Sequence, residues 1–203
     1  MSREQMVEHA RLFYDQGTMV GTAGNLSARA DDDSFWITAS GRQKGQLSTG
    51  DFIRVGLNGD VVEVGASDNK PSAETSIHRI VYELFEDAGA CYHVHSIHAN
   101  LVSNMTDGNQ LELPPLEMLK GFGIWEQDPL IQIEIFENHL DVPRIAREIQ
   151  LRFAHKSPQL AALLIRNHGV TVWGRSTEEA KVYIELSEYI FRYMTLAKQT
   201  GMR

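Results

Sequence analysis

Asn58-Gly59 stands between two short runs rich in β-branched residues, Phe52 to Val55 and Val61 to Val64. That dipeptide favours the left-handed conformations of a two-residue hairpin turn, so it commits this stretch to neighbouring antiparallel strands. Leu26 to Ala30 and Phe35 to Thr38 read as two more short strands ahead of it, which makes the first third of the chain antiparallel sheet. Helical spacing takes over on either side. Ser2 with Gln5 three residues on forms a capping-box pattern, and Met6, Ala10, Phe13 and Tyr14 then recur on one helical face until Gly17. Ser72 can cap a second helix that turns Ile77, Ile80, Val81, Leu84 and Phe85 inward.

Ala90 to His95 reads as a strand, followed by a short helix from Ile97 and a further strand at Leu130 to Ile135. After Pro143 a helix presents Ile145, Ile149 and Phe153, and Leu160 to Ile165 and Val170 to Trp173 are strands flanking a turn at Asn167-His168-Gly169. The last helix opens on Ser176 with Glu179 closing a capping box, and its stripe of Ala180, Tyr183, Leu186, Ile190, Phe191 and Met194 is ordinary core packing. The layout is an α/β fold, a mixed sheet covered by helices.

The chain has 203 residues, enough for one globular domain spanning 1–203 and too few for a second independent one. Asp and Glu number 27 against 19 Lys and Arg, a net charge of -8, which argues against a nucleic-acid partner. The longest apolar runs, such as Leu160 to Ile165, are too short to span a bilayer, and Met1 to Ala10 carries no apolar signal segment, so no membrane partner and a cytoplasmic location are expected. The single cysteine, Cys91, cannot form an internal disulfide, which fits a reducing compartment.

Residues two apart in a strand face the same way, so the imidazoles of His93 and His95 project side by side and can share a cation. His168 would arrive from a turn. Three neutral imidazoles with an open fourth position is the arrangement of a catalytic rather than a structural zinc site. On spacing alone, three unrelated structural histidines remain an equally open reading. Imidazole also suits iron, nickel and copper, and zinc is the expectation. His98 falls past the strand end and His78 lies on a helix, so both read as structural or as supports for the ligands. Cys91 shares the face of His93 and His95, although a buried free thiol is the commoner role.

Three small-residue segments could converge on an oxyanion: GTAGN at 21–25, SGR at 40–42 and PSAE at 71–74. The third is the most physical, because Ser72 and Ala73 would open a helix whose free amides and dipole favour a phosphate. Each segment taken singly reads first as a plain turn. Glu74 and Glu117 are the candidate proton carriers, with solvated surface glutamates as the plain alternative.

Taken together, GTAGNLSAR at 21–29, ITASGR at 37–42, KPSAE at 70–74, HVH at 93–95 and NHG at 167–169 resemble the class II aldolase/adducin family over most of the chain. The resemblance implies a class II aldolase-like α/β/α sandwich, with a mixed, largely antiparallel central sheet covered by helices on both faces. It implies a homotetramer with sites between subunits, a small phosphorylated sugar as substrate, and a zinc ion in each subunit held by His93, His95 and His168. Phosphate contacts map onto Thr22, Asn25, Ser40, Gly41, Ser72 and the amide of Ala73. Within the family, LEMLKG at 116–121 and VTVWG at 170–174 resemble the branch that dehydrates 5-methylthioribulose 1-phosphate in methionine salvage, which implies a hydro-lyase. The glutamate matching Glu74 is the base in the family's aldolases, and the one matching Glu117 is the candidate in its dehydratases; both are present here. Where the aldolase motif often has two serines, Ala73 offers only its backbone. A phosphosugar aldolase or epimerase of the fuculose or ribulose phosphate type is the enzyme alternative. A non-catalytic adducin-like module is the other, against which three converging histidines argue. Met118, Phe122 and Trp125 are suggestions for an apolar pocket around a methylthio tail.

Overall fold

In the computed structural model, residues 2–65 and 70–201 are described; residues 1, 66–69 and 202–203 of the expected 1–203 domain lie outside them. The Ser2 hydroxyl accepts the Gln5 N–H at 3.2 Å and opens α1 (Arg3–Asp15), which stops where Gly17 takes a φ of +76°. β1 (Asn25–Asp31), β2 (Ser34–Thr38), β3 (Phe52–Gly56) and β4 (Val61–Val64) form the antiparallel run that the Asn58-Gly59 turn demands. They are followed by α2 (Thr75–Leu84), β5 (Ala90–Val94), α3 (Ile97–Val102), β6 (Gln110–Leu113) and β7 (Ile131–Phe136). α4 (Val142–His155), β8 (Ala162–Ile165), β9 (Gly169–Gly174) and α5 (Thr177–Thr200) complete the order.

Among the described residues, nine strands make one sheet in the order β4-β3-β2-β1-β5-β9-β8-β7-β6. Of its pairs only β7 with β8 is parallel, so the sheet is mixed and largely antiparallel, as expected. Alternation along each strand splits the apolar residues into two cores. Met6 and Phe13 of α1, Ala99 and Val102 of α3, and Ile184, Ile190 and Phe191 of α5 pack with Tyr92, Val94, Val170 and Val172 on one face. Ile77, Ile80 and Val81 of α2 and Ile145, Ile149 and Phe153 of α4 pack with Cys91 and Trp173 on the other. His93 and Thr171 have the parity of Cys91 and Trp173, so they face α2.

Three local expectations change. Helix α2 starts at Thr75, three residues after the expected cap: the Ser72 carbonyl accepts the Thr75 N–H at 3.1 Å, and its hydroxyl accepts the Glu74 N–H at 3.3 Å. Ser72 therefore organises a turn ahead of the helix and leaves Glu74 at the helix mouth, where the dipole favours its negative charge. The α5 box is half formed, because Glu179 reaches the N–H of Arg175 at 2.5 Å while Ser176 accepts the Glu179 N–H at 3.1 Å. β6 was not anticipated; its alternation of Leu111 and Leu113 is short and stands before a proline pair. No helix among the described residues is long and apolar enough to cross a membrane.

Leu164 is fully buried in β8 between β7 and β9. Leu164→Ala should lower the unfolding free energy by about 2–5 kcal/mol, read as a shifted urea midpoint with unchanged slope; a loss under about 0.5 kcal/mol would show that this layer repacks.

Candidate functional site

β5 and β9 pair with His93 opposite Thr171 and Val94 opposite Val170. His93 Nδ1 bonds the Thr171 hydroxyl at 2.9 Å, which leaves Nε2 facing Glu74 at 3.5 Å. Just beyond the strand end, the His95 N–H is anchored on the Thr18 carbonyl at 2.9 Å. His168 sits in the turn from β8 to β9, where Asn167 adopts a φ of +53° and the His168 N–H closes on the Ile165 carbonyl at 3.0 Å. A Cβ built on Gly169 would lie 2.1 Å from the Val94 carbonyl oxygen, so only glycine allows this turn to close against β5.

The three rings converge. Their centroids lie 4.8 Å (His93 to His95), 5.0 Å (His93 to His168) and 4.5 Å (His95 to His168) apart, at interplanar angles of 76° to 90°. Glu74 joins them from the mouth of α2, 2.8 Å from His168 Nε2 and 3.5 Å from His93 Nε2. One ligand atom from each of the four residues falls within 4.8 Å of the others. His93 Nε2 and His168 Nδ1 are buried without a hydrogen-bond partner, an arrangement that is costly unless a ligand completes it. Burial is the largest influence on His93 and His95 and depresses them to about 4 and about 3, outweighing the opposing pull of Glu74. Neutral imidazoles are the form that binds a cation. Burial raises the Glu74 carboxyl, but His93, His168 and Asn25 more than reverse it and hold the group well below the usual carboxylate range. The donor set fits a divalent ion of the kind imidazole and carboxylate share.

Behind Glu74 runs a buried polar chain whose sense is set at its carboxylate end. An ionised carboxylate only accepts, so Asn25 turns its amide N–H to Glu74 and its carbonyl to His78 Nε2. His78 must then carry its proton on Nε2. Burial lowers His78 to about 4, which keeps it neutral with a bare Nδ1. The Ser27 hydroxyl bonds His78 Nδ1 at 2.6 Å and the Tyr82 hydroxyl at 2.7 Å, with the Cys91 carbonyl a further acceptor at 3.2 Å. Every member is buried.

Thr22, Asn25, Ser40, Gly41, Ser72 and Ala73 line one cavity of about 190 Å³ together with Lys44, Glu74 and His95. All six expected phosphate contacts thus meet beside the histidines, although the Asn25 side chain is already engaged at both ends. Residues 4–195 match the family described as the class II aldolase and adducin N-terminal domain. The chain belongs to that family. It is 58% identical over 197 residues to methylthioribulose-1-phosphate dehydratase from Microcystis aeruginosa, covering 97% of this chain and 96% of the relative. It is 41% identical over 201 residues to the protein of the same name from Leptospira biflexa, covering 95% and 96%. An L-fuculose 1-phosphate aldolase structure superposes with a TM-score of 0.80 at 21% identity, over 99% of this chain and 89% of that one. The L-fuculose-1-phosphate aldolase from Thermus thermophilus gives 0.75 at 24% identity, over 98% and 95%. At these identities the aldolases share the fold, and the expected α/β/α architecture is borne out.

Against the family's motifs, Glu117 stands apart. It is exposed, in the 3-10 turn Glu117–Phe122, and pairs with Lys120 at 2.7 Å. Phe122 and Trp125 line a different cleft of about 500 Å³ with Gly174 and Arg175, at the far end of β9 from the histidines. Met118 packs against the α1/α3/α5 core. Cys91 is buried and free, its thiol pushed up by burial and by Glu74, and it is not part of the cluster. The sequence reading missed Lys44, Ser27, Tyr82 and Thr171. One signal was available, since Glu74, His78 and Tyr82 recur every four residues as a polar stripe on an otherwise apolar helix face.

His78, His93 and His95 are depressed from an ordinary 6.5 to about 4, about 4 and about 3. Between pH 6.5 and about 4 the unfolded chain takes up protons that the folded one refuses, so metal-free protein should lose stability as pH falls through that window and be level above it. Urea midpoints at pH 7.5 and 5.0 check this; equal values would mean that the three rings are not buried neutral.

Proposed function

We propose that this chain removes water from 5-methylthioribulose 1-phosphate, giving the 2,3-diketo-5-methylthiopentyl 1-phosphate of methionine salvage. The reading rests on the 58% identity, over nearly the full length, to a relative named for that reaction, and it is supported by the convergence of three imidazoles with a carboxylate. His93, His95 and His168 would hold the ion, zinc on this reading, which supplies polarisation of the carbonyl at carbon 2 and so acidifies carbon 3.

The remaining work falls to the chain's own groups. The cavity beside His95 takes the phosphate on Thr22, Ser40, Gly41, Ser72 and the Ala73 amide, with Asn25 shared between this cradle and Glu74. Glu74, kept ionised and aimed by Asn25, accepts the proton from carbon 3. Glu117 of a neighbouring copy gives a proton to the hydroxyl on carbon 4, which leaves as water, and the enol across carbons 3 and 4 tautomerises to the diketone. Protons balance, and no carbon–carbon bond breaks. A phosphosugar aldolase would use Glu74 alone and part the same two carbons. A cytoplasmic homotetramer with zinc in each subunit belongs to the proposal.

Incubation of the purified protein with the substrate, with mass analysis of products, tests the reaction; a triose phosphate or free aldehyde in place of the diketone rejects it. His95→Ala should lose bound metal and turnover together. Glu117→Gln should keep the metal and lose at least about 100-fold in kcat. If Glu117→Gln stays active while Glu74→Gln is dead, the proton donor is misassigned. Co-assembled His95→Ala and Glu117→Gln subunits should regain up to about a quarter of wild-type activity, since a site borrowing Glu117 from its neighbour is intact in that share of random pairings. No recovery would mean that each site is built from a single chain.

A further inference from the structure

Lys44 was assigned no role by the sequence motifs, yet among the described residues it is a buried lysine with no carboxylate bonded to it. It is 2% exposed. Its backbone N–H bonds the Gly21 carbonyl at 3.0 Å, and its Nζ donates to the carbonyls of Thr22 at 2.7 Å and Arg42 at 2.9 Å. Those carbonyls belong to two of the three segments that form the cavity beside the histidines, so one ammonium ties both loops in place. Among the described residues no carboxylate is paired with it, whereas Lys120 and Lys181 each pair with a glutamate.

A buried ammonium held only by carbonyl dipoles is an incomplete arrangement, because buried charges are normally matched by a counter-charge. An ammonium has three N–H donors and two are placed. Burial pulls Lys44 down to about 8 while the charge of Glu74 raises it, so the group stays mainly cationic at neutral pH. Lys44 itself lines the cavity, together with Thr22, Ser40, Gly41 and Ser72. Glu74, on the same wall, is already satisfied by Asn25 and His168.

We propose that Lys44 is the positive floor of the cradle: it fixes the 21–25 and 40–42 loops and offers its remaining N–H to a phosphate oxygen, which makes the site select a phosphate dianion. This rests on the cradle reading given under the proposed function. A plain loop staple would need the two carbonyl bonds but not the charge at the cavity.

Isothermal titration of the metal-loaded protein with inorganic phosphate separates these readings. Lys44→Met should weaken phosphate about 10- to 100-fold, the usual range for a lost charge-assisted hydrogen bond, and Lys44→Arg should stay within about threefold of wild type. With the phosphorylated ketose, KM should rise by a similar factor in Lys44→Met while kcat and bound metal change little. A lysine-selective nitrogen-15 spectrum of the wild type needs no variant to fold: the Lys44 ammonium resonance should shift on saturation with phosphate. An unmoved resonance, or wild-type phosphate affinity in a folded Lys44→Met of lowered melting temperature, overturns the proposal and leaves the cradle standing. Wild type that does not bind phosphate at all overturns the cradle and Lys44 with it.

Discussion

The register between β5 and β9 is the constraint on which the rest depends. With His93 opposite Thr171, the histidine faces α2, its Nδ1 is occupied, and the hairpin turn carrying His168 is brought over it. A slip of one residue would send His93 into the apolar core beneath α5 and put Tyr92 in its place. Register is protected by what lies on each side. Val94, Val170 and Val172 are buried on one face with His93 and Thr171 on the other, so a one-residue shift would put an imidazole and a hydroxyl into the apolar core and a valine at the site. Gly169 adds a steric lock, since the turn passes so close to the Val94 carbonyl that no side chain fits.

The chain from Tyr82 through Ser27, His78 and Asn25 to Glu74 runs through the α2/α4 side of the sheet, where Phe35 and Tyr82 pack with ring centroids 5.0 Å apart. Polar groups at such depth cost free energy unless they are hydrogen-bonded, and here every member of the chain has a partner. The direction is imposed by Glu74, the one member that cannot donate. The network therefore transmits orientation: the carboxylate is aimed at the imidazoles because the amide of Asn25 has no alternative rotamer that keeps all bonds. That is the physical content of His78 lying on a helix and still belonging to the site.

Legibility in the sequence followed the range of the interactions. α1 and the hairpin at Asn58-Gly59 are set by local capping and turn chemistry, and both stand where the sequence put them. The segment at 70–74 reads locally as a cap on Ser72, but Glu74 is drawn toward the histidines and the helix begins after it, a tertiary effect that spacing does not carry. β6 forms because it pairs with β7, with Leu111 opposite Ile133, although its own four residues hold little periodic signal. The three histidines were readable as a set because strand alternation gave two and a turn gave the third. Lys44 was not, because its role arises only when two distant loops leave their carbonyls facing one buried point.

The position of Glu117 bears on how copies of this chain would meet. The histidines stand at the Gly169 end of β9, whereas the turn that bears Glu117 and Phe122 packs toward Gly174, five residues along the strand and about 17 Å away. If the proposed proton donor and the metal centre act on one substrate, they must come from different copies, and the contact joins one end of a molecule to the opposite end of its neighbour. A two-fold pair satisfies this reciprocally, each copy lending its Glu117 to the other, and a closed ring satisfies it in turn around its axis. Both closed arrangements use every half-site. That copies must meet at all is part of the proposal, and it rests on where two carboxylates lie in a single chain, Glu74 beside the imidazoles and Glu117 in the turn that packs toward the far end of β9.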